Sequence, residues 1–153
     1  MAHTNRGRVI LGGLLAGVVI NVVEFVTNGV ILKDAWGQAM LAMQKSAEPS
    51  ASQIVMFNIW GFLVGIGAVW LYAAIRPRYG QGVGTAVRAG IAAWALAYFL
   101  SNLSIYALDL FPTRLLVITD IVGLVEIVIA TVAGAWLYKE EAQASPTLRS
   151  AAA

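Results

Sequence analysis

The chain has 153 residues, of which 59% are hydrophobic and 12% are charged, with a mean hydropathy of +0.77. A soluble domain carries roughly 25% charged residues, and here the charges gather between apolar stretches, as in bilayer-spanning proteins. The net charge of +2 does not indicate a nucleic acid partner, because the basic residues lie at the ends of those stretches. There is no cysteine, and the single histidine, His3, lies near the N-terminus. Disulfides, thiolate metal sites and cysteine nucleophiles are therefore excluded, and we expect no cofactor.

Four apolar stretches reach the length of about 20 residues that a transmembrane helix needs. They cover residues 9–32, 53–75, 85–108 and 114–138. The first is too long for the apolar part of a signal peptide and contains Glu24, so we expect it to be retained. The sequence thus predicts an all-α integral membrane four-helix bundle over residues 9–138. Residues 1–8 form a short N-terminus, and the small, polar composition of 139–153 predicts a disordered tail.

The ends of the second and fourth spans carry local signals. Ser50, followed three residues later by Gln53, predicts a capping box at the start of the second span. Pro77 follows that span and Pro112 precedes the fourth, both at boundaries where proline is tolerated. No proline interrupts a span, so no broken helix is predicted.

The loop between the first two spans has the pattern of a short amphipathic helix. Trp36, Met40 and Met43 recur at helical spacing, and Asp34 precedes them as a candidate N-cap. Such a helix would lie on the outer surface of the bilayer. The alternative is an irregular polar loop, since Gly37 weakens a helix.

The distribution of lysine and arginine predicts the orientation. The N-terminus, the second loop and the C-terminus together hold seven basic residues, whereas the other two loops hold three, namely Lys33, Lys45 and Arg114. Cytoplasmic segments carry the excess of basic residues. Both termini are therefore predicted to lie in the cytoplasm.

A weak internal repeat relates the second span to the fourth. Residues 58–63 echo residues 120–125, and Trp-Leu-Tyr at 70–72 recurs at 136–138. The repeat predicts two tandem helical hairpins in the same orientation. Chance similarity within an apolar sequence is the alternative.

Acidic side chains lie inside the predicted spans. Glu24 is roughly 12 Å from the outer end of the first span and Glu126 roughly 18 Å from the outer end of the fourth, with Asp120 shallower. An ionised carboxylate at such depth costs on the order of 3 kcal/mol, and the basic residues are too far away, at the span ends, to pair with it. We therefore expect at least one of Glu24 and Glu126 to be protonated in the empty protein.

Amide side chains lie at a similar depth on the first three spans. Asn21 and Asn28 flank Glu24, one turn away on either side, while Asn58 and Asn102 belong to the second and third spans. This common depth predicts one ligand-binding cluster. Its members would be Glu24, Glu126, Asn21, Asn28, Asn102, Asn58 and Asp120. In the alternative, these groups only bond helix to helix, at about 0.6–2 kcal/mol each.

The second loop is rich in arginine and glycine. Arg76, Arg78 and Arg88 accompany three glycines whose spacing matches no phosphate-binding fingerprint. We expect these arginines to contact anionic lipid headgroups at the inner leaflet.

Three features carry a resemblance to known proteins: the segment from Gly12 through Asn28, the sequence Lys-Asp-Ala-Trp at 33–36, and Gly-Ala-Trp at 134–136 after three further spans. They are similar to those of an uncharacterised family, a domain of unknown function, of small four-helix bacterial inner-membrane proteins. The resemblance covers residues 8–138 and implies the fold and a bacterial cytoplasmic membrane, without an activity. Glu24 also resembles the membrane-embedded glutamate of small multidrug exporters, although Glu126 has no counterpart there.

Two functions from different classes fit these features. The first is a membrane protein that binds or translocates a proton, a cation or a small cationic molecule at the carboxylates and amides. The second is a non-catalytic accessory or assembly subunit of a larger membrane complex, with the lipid bilayer, further copies of the chain or other subunits as partners. An enzyme is the weakest hypothesis, because catalysis would depend on carboxylates alone, and no catalytic residue is assigned.

Overall fold

The computed structural model describes residues 5–138, and this part of the chain is helical between short turns, without strands. Its helices are α1 (Arg6–Ile31), α2 (Lys33–Ala42), α3 (Ala51–Tyr79), α4 (Val83–Ala107) and α5 (Thr113–Leu137). All but α2 are long and apolar enough to cross a membrane. The predicted all-α bundle of four spans is confirmed. The predicted tail at 139–153 lies outside the described residues.

Two of the long helices change their geometry partway along. In α1, α-helical residues Arg6–Glu24 continue as a π-helical segment, Phe25–Ile31. In α4, a π-helical segment, Ala95–Phe99, separates two α-helical parts. No broken helix was predicted because no proline lies within the predicted spans, and α1 and α4 do continue through their π-helical segments as single helices. A π turn needs no proline, because it only shifts each backbone hydrogen bond from the fourth to the fifth preceding residue.

The ends of α3 show which local signals were informative. The capping box is confirmed, since Ser50 Oγ accepts from the Gln53 amide at 3.4 Å and Gln53 Oε1 accepts from the Ser50 amide at 2.8 Å. Pro77, expected beyond the span, lies inside the last turns of α3. A proline in the last turns of a helix removes one backbone hydrogen bond, but the helix can continue past it. The helix ends instead at Tyr79, before Gly80, which has a φ of 80°.

Helix α2 confirms the short helix predicted between the first two spans. Asp34 is not its N-cap but lies in its first turn. The residue before the helix is Leu32, whose amide donates to Thr27 O at 2.8 Å as the last turn of α1 closes. Leu32 therefore takes the N-cap position of α2, and its apolar side chain supplies no capping hydrogen bond.

Close packing of α1 depends on glycines. A Cβ added to Gly65 would lie 2.5 Å from the backbone nitrogen of Gly17 and 2.6 Å from the carbonyl of Gly13, so α1 and α3 touch backbone to backbone. A Cβ on Gly12 would lie 2.5 Å from the carbonyl of Gly134 on α5. Small residues at membrane helix interfaces permit such approaches.

Consecutive spans pair as antiparallel hairpins. Helix α1 packs along α3, with Gly13 near Ile66 and Gly17 near Phe62, and α4 packs along α5. Contacts between α1 and α5 and between α3 and α4 join the two hairpins into one bundle. The duplication of the hairpin stays a prediction.

The outside of the bundle is apolar. Large hydrophobic side chains such as Ile31, Met56 and Trp136 point away from it, with Trp136 79% exposed. A helical surface of this kind is stable in lipid, where backbone groups must be satisfied within each helix. The chain is therefore a small multi-pass membrane protein.

Candidate functional site

A tyrosine joins the two intramembrane glutamates. The Tyr98 hydroxyl on α4 donates a hydrogen bond to Glu24 Oε1 on α1 and lies 3.1 Å from Glu126 Oε1 on α5. Glu126 is 2% exposed and Glu24 is half-buried. Three helices thus bring Glu24, Tyr98 and Glu126 into one hydrogen-bonded group, which we call the carboxylate bridge.

The carboxylate bridge continues toward helix α2. Asn28 Nδ2 donates to Glu24 Oε2, and Trp36 Nε1 donates to Asn28 Oδ1 at 2.8 Å. Because indole nitrogen is only a donor, Trp36 holds the Asn28 carbonyl toward itself and leaves the Asn28 NH₂ group facing the carboxylate. Trp36 is fixed in turn by an edge contact with Phe111, with ring centroids 5.2 Å apart. Through Trp36, helix α2 therefore orients the Asn28 amide that donates to Glu24.

Residues of this hydrogen-bonded group lie within or directly next to the two π-helical segments. Glu24 immediately precedes the segment in α1, Asn28 lies within it, and Tyr98 lies within the segment in α4. An added residue per turn rotates the side chains that follow it relative to the rest of the helix, and π turns are frequent at functional sites. Both π segments therefore coincide with residues of one hydrogen-bonded group.

The surroundings of Tyr98 hold its ring in place. A Cβ on Gly123 would lie 2.8 Å from Tyr98 Cδ1, so the glycine leaves the space that the ring occupies. Trp60 of α3 contacts the ring edge to face at a centroid distance of 5.2 Å. With Trp60, all four spans contribute to the carboxylate bridge or its immediate packing.

The other predicted residues form two separate groups. Asn102 Nδ2 donates to Asp120 Oδ1 at 2.8 Å, beside a cleft of about 140 Å³ between α4 and α5. Asn21 Nδ2 donates to Asn58 O at 3.2 Å and to Gly17 O at 2.8 Å. The predicted cluster thus brings Glu24, Glu126 and Asn28 together, whereas the hydrogen bonds of Asn21, Asn58, Asn102 and Asp120 lie outside it, because depth does not fix the rotation of a helix about its own axis. That these residues bind a ligand stays a prediction.

The hydrogen bond from the Asn21 side chain to the Asn58 backbone carbonyl connects α1 with α3. The Asn58 side chain donates to Ile54 O at 2.8 Å on its own helix, and only its backbone meets Asn21. A Cβ on Gly61 would lie 2.8 Å from Asn21 Oδ1, so this glycine admits the Asn21 amide to the α1–α3 interface. The helix-to-helix alternative therefore describes Asn21, whereas the Asn58 side chain bonds within its own helix.

Sequence reasoning missed Tyr98 and the hydrogen-bonding role of Trp36. The available signal for Tyr98 was a hydroxyl-bearing aromatic deep inside an apolar span, since buried tyrosine hydroxyls usually require a partner. Trp36 was read only as a membrane-surface residue.

The described residues limit what the carboxylate bridge could hold. Within residues 5–138, no group of three or more His, Cys, Asp or Glu side chains is arranged to bind a metal ion. The salt bridge recorded in that range lies elsewhere, between Lys33 Nζ and Glu48 Oε1 at 3.1 Å. The hydrogen-bond partners of the two glutamates are a phenol and an amide.

The predicted lipid-contacting arginines lie at the opposite end of the bundle. Arg78 and Arg88 stand over the Tyr79 ring, at 5.9 and 5.2 Å from its centroid. Arg76 stands over Tyr138 at 5.5 Å. Their contact with lipid headgroups stays a prediction.

Comparison of the chain with family models, with curated proteins and with solved structures gave no match. Its class is therefore defined by its own fold: a small four-span membrane protein in which two glutamates of different helices meet at one tyrosine.

Proposed function

We propose that this protein binds and exchanges a proton at the carboxylate bridge, as a proton-linked binding or transport protein of the membrane. The observation that carries the proposal is the position of the Tyr98 hydroxyl between the two carboxyl groups. A phenol has one hydrogen to donate, whereas an ionised carboxylate can only accept. If both glutamates were ionised, the single hydroxyl hydrogen could bridge Tyr98 to only one of them. The other contact would bring the tyrosine oxygen against a carboxylate oxygen with no hydrogen between them.

One additional proton removes this conflict. Glu24 already accepts from Tyr98 and from Asn28, so it acts as the acceptor. A proton on Glu126 would then donate to the Tyr98 oxygen and give each contact one hydrogen. Glu126 is the more buried of the pair, and burial disfavours an isolated charge. The half-buried Glu24 and Asn28 form the side from which a proton would enter.

A proton also fits the space better than a larger cation. Both carboxyl groups hydrogen-bond directly to protein groups, Glu24 to Asn28 and Tyr98 and Glu126 to Tyr98. The Tyr98 ring fills the volume between α4 and Gly123. An organic cation would have to displace the tyrosine and separate three helices.

Infrared spectroscopy tests the proposal, because it distinguishes a carboxylic acid from a carboxylate. The purified protein at neutral pH should show a protonated-carboxyl band that Glu126→Gln removes. Glu48→Gln, which removes an exposed loop carboxylate, should leave the band unchanged. Absence of the band in the wild-type protein, or its persistence in both Glu126→Gln and Glu24→Gln, would end the proton-binding proposal.

The proposed setting is a bacterial cytoplasmic membrane with both termini inside, which places α2 and the Glu24 end of the bundle outside. The support is the excess of basic residues in the second loop and the termini. Because the chain has no cysteine, single cysteines at Ser46 and Gln81 can be labelled selectively. A membrane-impermeant maleimide should label position 46 in intact cells and position 81 only after permeabilisation. The reverse pattern would invert the orientation.

An accessory subunit is the alternative function, and one observation favours it. Every residue from 51 to 60, the first part of α3, is exposed, so the bundle covers little of this stretch beyond the contacts of Asn58 and Trp60. A partner helix could pack there. Isolation of the protein from its membrane in a stable complex, together with wild-type behaviour of both glutamine variants, would support this function over proton binding.

A further inference from the structure

A second candidate site lies at the end of the bundle opposite the carboxylate bridge. A cavity of about 270 Å³ opens there between the end of α3, the start of α4 and the end of α5. Its polar lining comes from Tyr72, Arg76, Gln81, Gly82 and Tyr138, and among residues 5–138 no Asp or Glu lines it. The charged group of this described lining is the Arg76 guanidinium.

One lining side chain has an unmet hydrogen-bonding group. Tyr138 is 4% exposed, and its hydroxyl oxygen is buried without a hydrogen-bond partner among residues 5–138. A buried hydroxyl is normally satisfied, and leaving it unsatisfied weakens the fold. Within the described chain, this group is available to a ligand that accepts a hydrogen bond.

The guanidinium group over the ring of that tyrosine is held in position. Arg76 Nη2 donates to Gln81 Oε1 at 2.7 Å, and the guanidinium carbon stands 5.5 Å from the centroid of the Tyr138 ring. Arginine presents several donors in one plane, which suits the oxygens of a phosphate group.

The start of α4 adds backbone donors. Helix α4 begins at Val83, and its N-cap, Gly82, has a φ of 132° and supplies no capping side chain. The nearby Thr85 hydroxyl donates instead to Gly80 O at 2.8 Å. The first amides of a helix point along its axis and attract anions.

The repeated Trp-Leu-Tyr sequence converges on this cavity. Tyr72 and Tyr138, the matched tyrosines, meet edge to face with ring centroids 6.0 Å apart, and both line the cavity. The adjoining Trp70 and Trp136 are exposed, as are aromatic residues at a membrane interface.

From these observations we infer that the cavity binds a phosphate group, with Arg76, the Tyr138 hydroxyl and the first amides of α4 as its donors. The phosphate belongs either to an anionic lipid headgroup or to a free phosphate. Headgroup contact was predicted for three arginines, and the inference assigns phosphate binding to Arg76 alone. Arg78 and Arg88 stand over Tyr79 and are not among the cavity's lining residues. It is independent of the carboxylate bridge.

The test compares two probes with the full-length protein. Phosphatidylglycerol is titrated into protein in zwitterionic detergent and counted by native mass spectrometry, and inorganic phosphate is titrated with melting temperature as the readout. Arg76→Gln and Tyr138→Phe should each weaken binding of the effective probe about tenfold, the loss expected for one hydrogen bond to a charged group. Tyr79→Phe, which removes an exposed hydroxyl at the same end, should bind as the wild-type protein does.

The results separate the sources of the phosphate. Binding of phosphatidylglycerol without a response to inorganic phosphate would identify a lipid headgroup, and a response to both would identify phosphate itself. Equal weakening by Arg76→Gln and Arg78→Gln, with no effect of Tyr138→Phe, would show diffuse attraction to a charged surface and overturn the inference. Absence of binding of either probe to the wild-type protein would also overturn it.

Discussion

Replacing Gly65 with leucine is expected to separate α1 from α3 and to prevent formation of the native bundle. The first atom of the new side chain would already lie 2.5 Å from the backbone nitrogen of Gly17. A flexible side chain could move aside, but here the obstacle is backbone, so the two helices must move apart along their length. We expect a loss of about 3 kcal/mol or more in unfolding free energy, at or beyond the upper end for overpacked sites.

Gly67 provides a matched control on the same helix. Nothing lies within 4 Å of a Cβ built there, because this face of α3 points away from the bundle. Gly67→Leu should therefore unfold in detergent at the same denaturant concentration as the wild-type protein or a higher one, because leucine is the better helix former. Gly65→Leu should unfold earlier or not fold. Similar stability of the two variants would contradict the proposed backbone contact between α1 and α3.

The spans could be predicted from the sequence because they depend on length and hydrophobicity, which are local properties. The start of α3 could be predicted for the same reason, since Ser50 and Gln53 satisfy each other's amides within one turn. The end of α3 was harder to predict. Whether Pro77 terminates the helix depends on what the chain gains by continuing to Gly80.

The site could be predicted only in part, because depth along a helix is readable and rotation about its axis is not. Glu24 and Asn28 were correctly placed on one face, and Glu126 at a depth that allows it to meet them. Tyr98 was missed because a π turn positions it, and π turns have no characteristic residue type that would reveal them in a sequence. Asn21 is one turn from Glu24, yet its amide is bound at the α1–α3 interface.

Tyr98→Phe is expected to disconnect the two glutamates while keeping the shape of the core. The variant loses only the hydroxyl that lies between Glu24 Oε1 and Glu126 Oε1. Leaving a buried polar partner unsatisfied costs about 1–3 kcal/mol, so unfolding in detergent should require correspondingly less denaturant. The protonated-carboxyl band should also shift, because the group that bears the proton loses its acceptor.

Tyr106→Phe is the control for this change, since Tyr106 is an exposed tyrosine of the same helix, 54% exposed. It should leave both stability and the infrared band unchanged. A double variant, Tyr98→Phe with Glu126→Gln, then tests whether the hydroxyl and the carboxyl interact energetically. If the hydroxyl and the carboxyl act as one unit, the double variant should lose less stability than the sum of the single variants. Additive losses would show that Tyr98 and Glu126 are energetically independent, and the proton count that supports the proposed function would no longer hold.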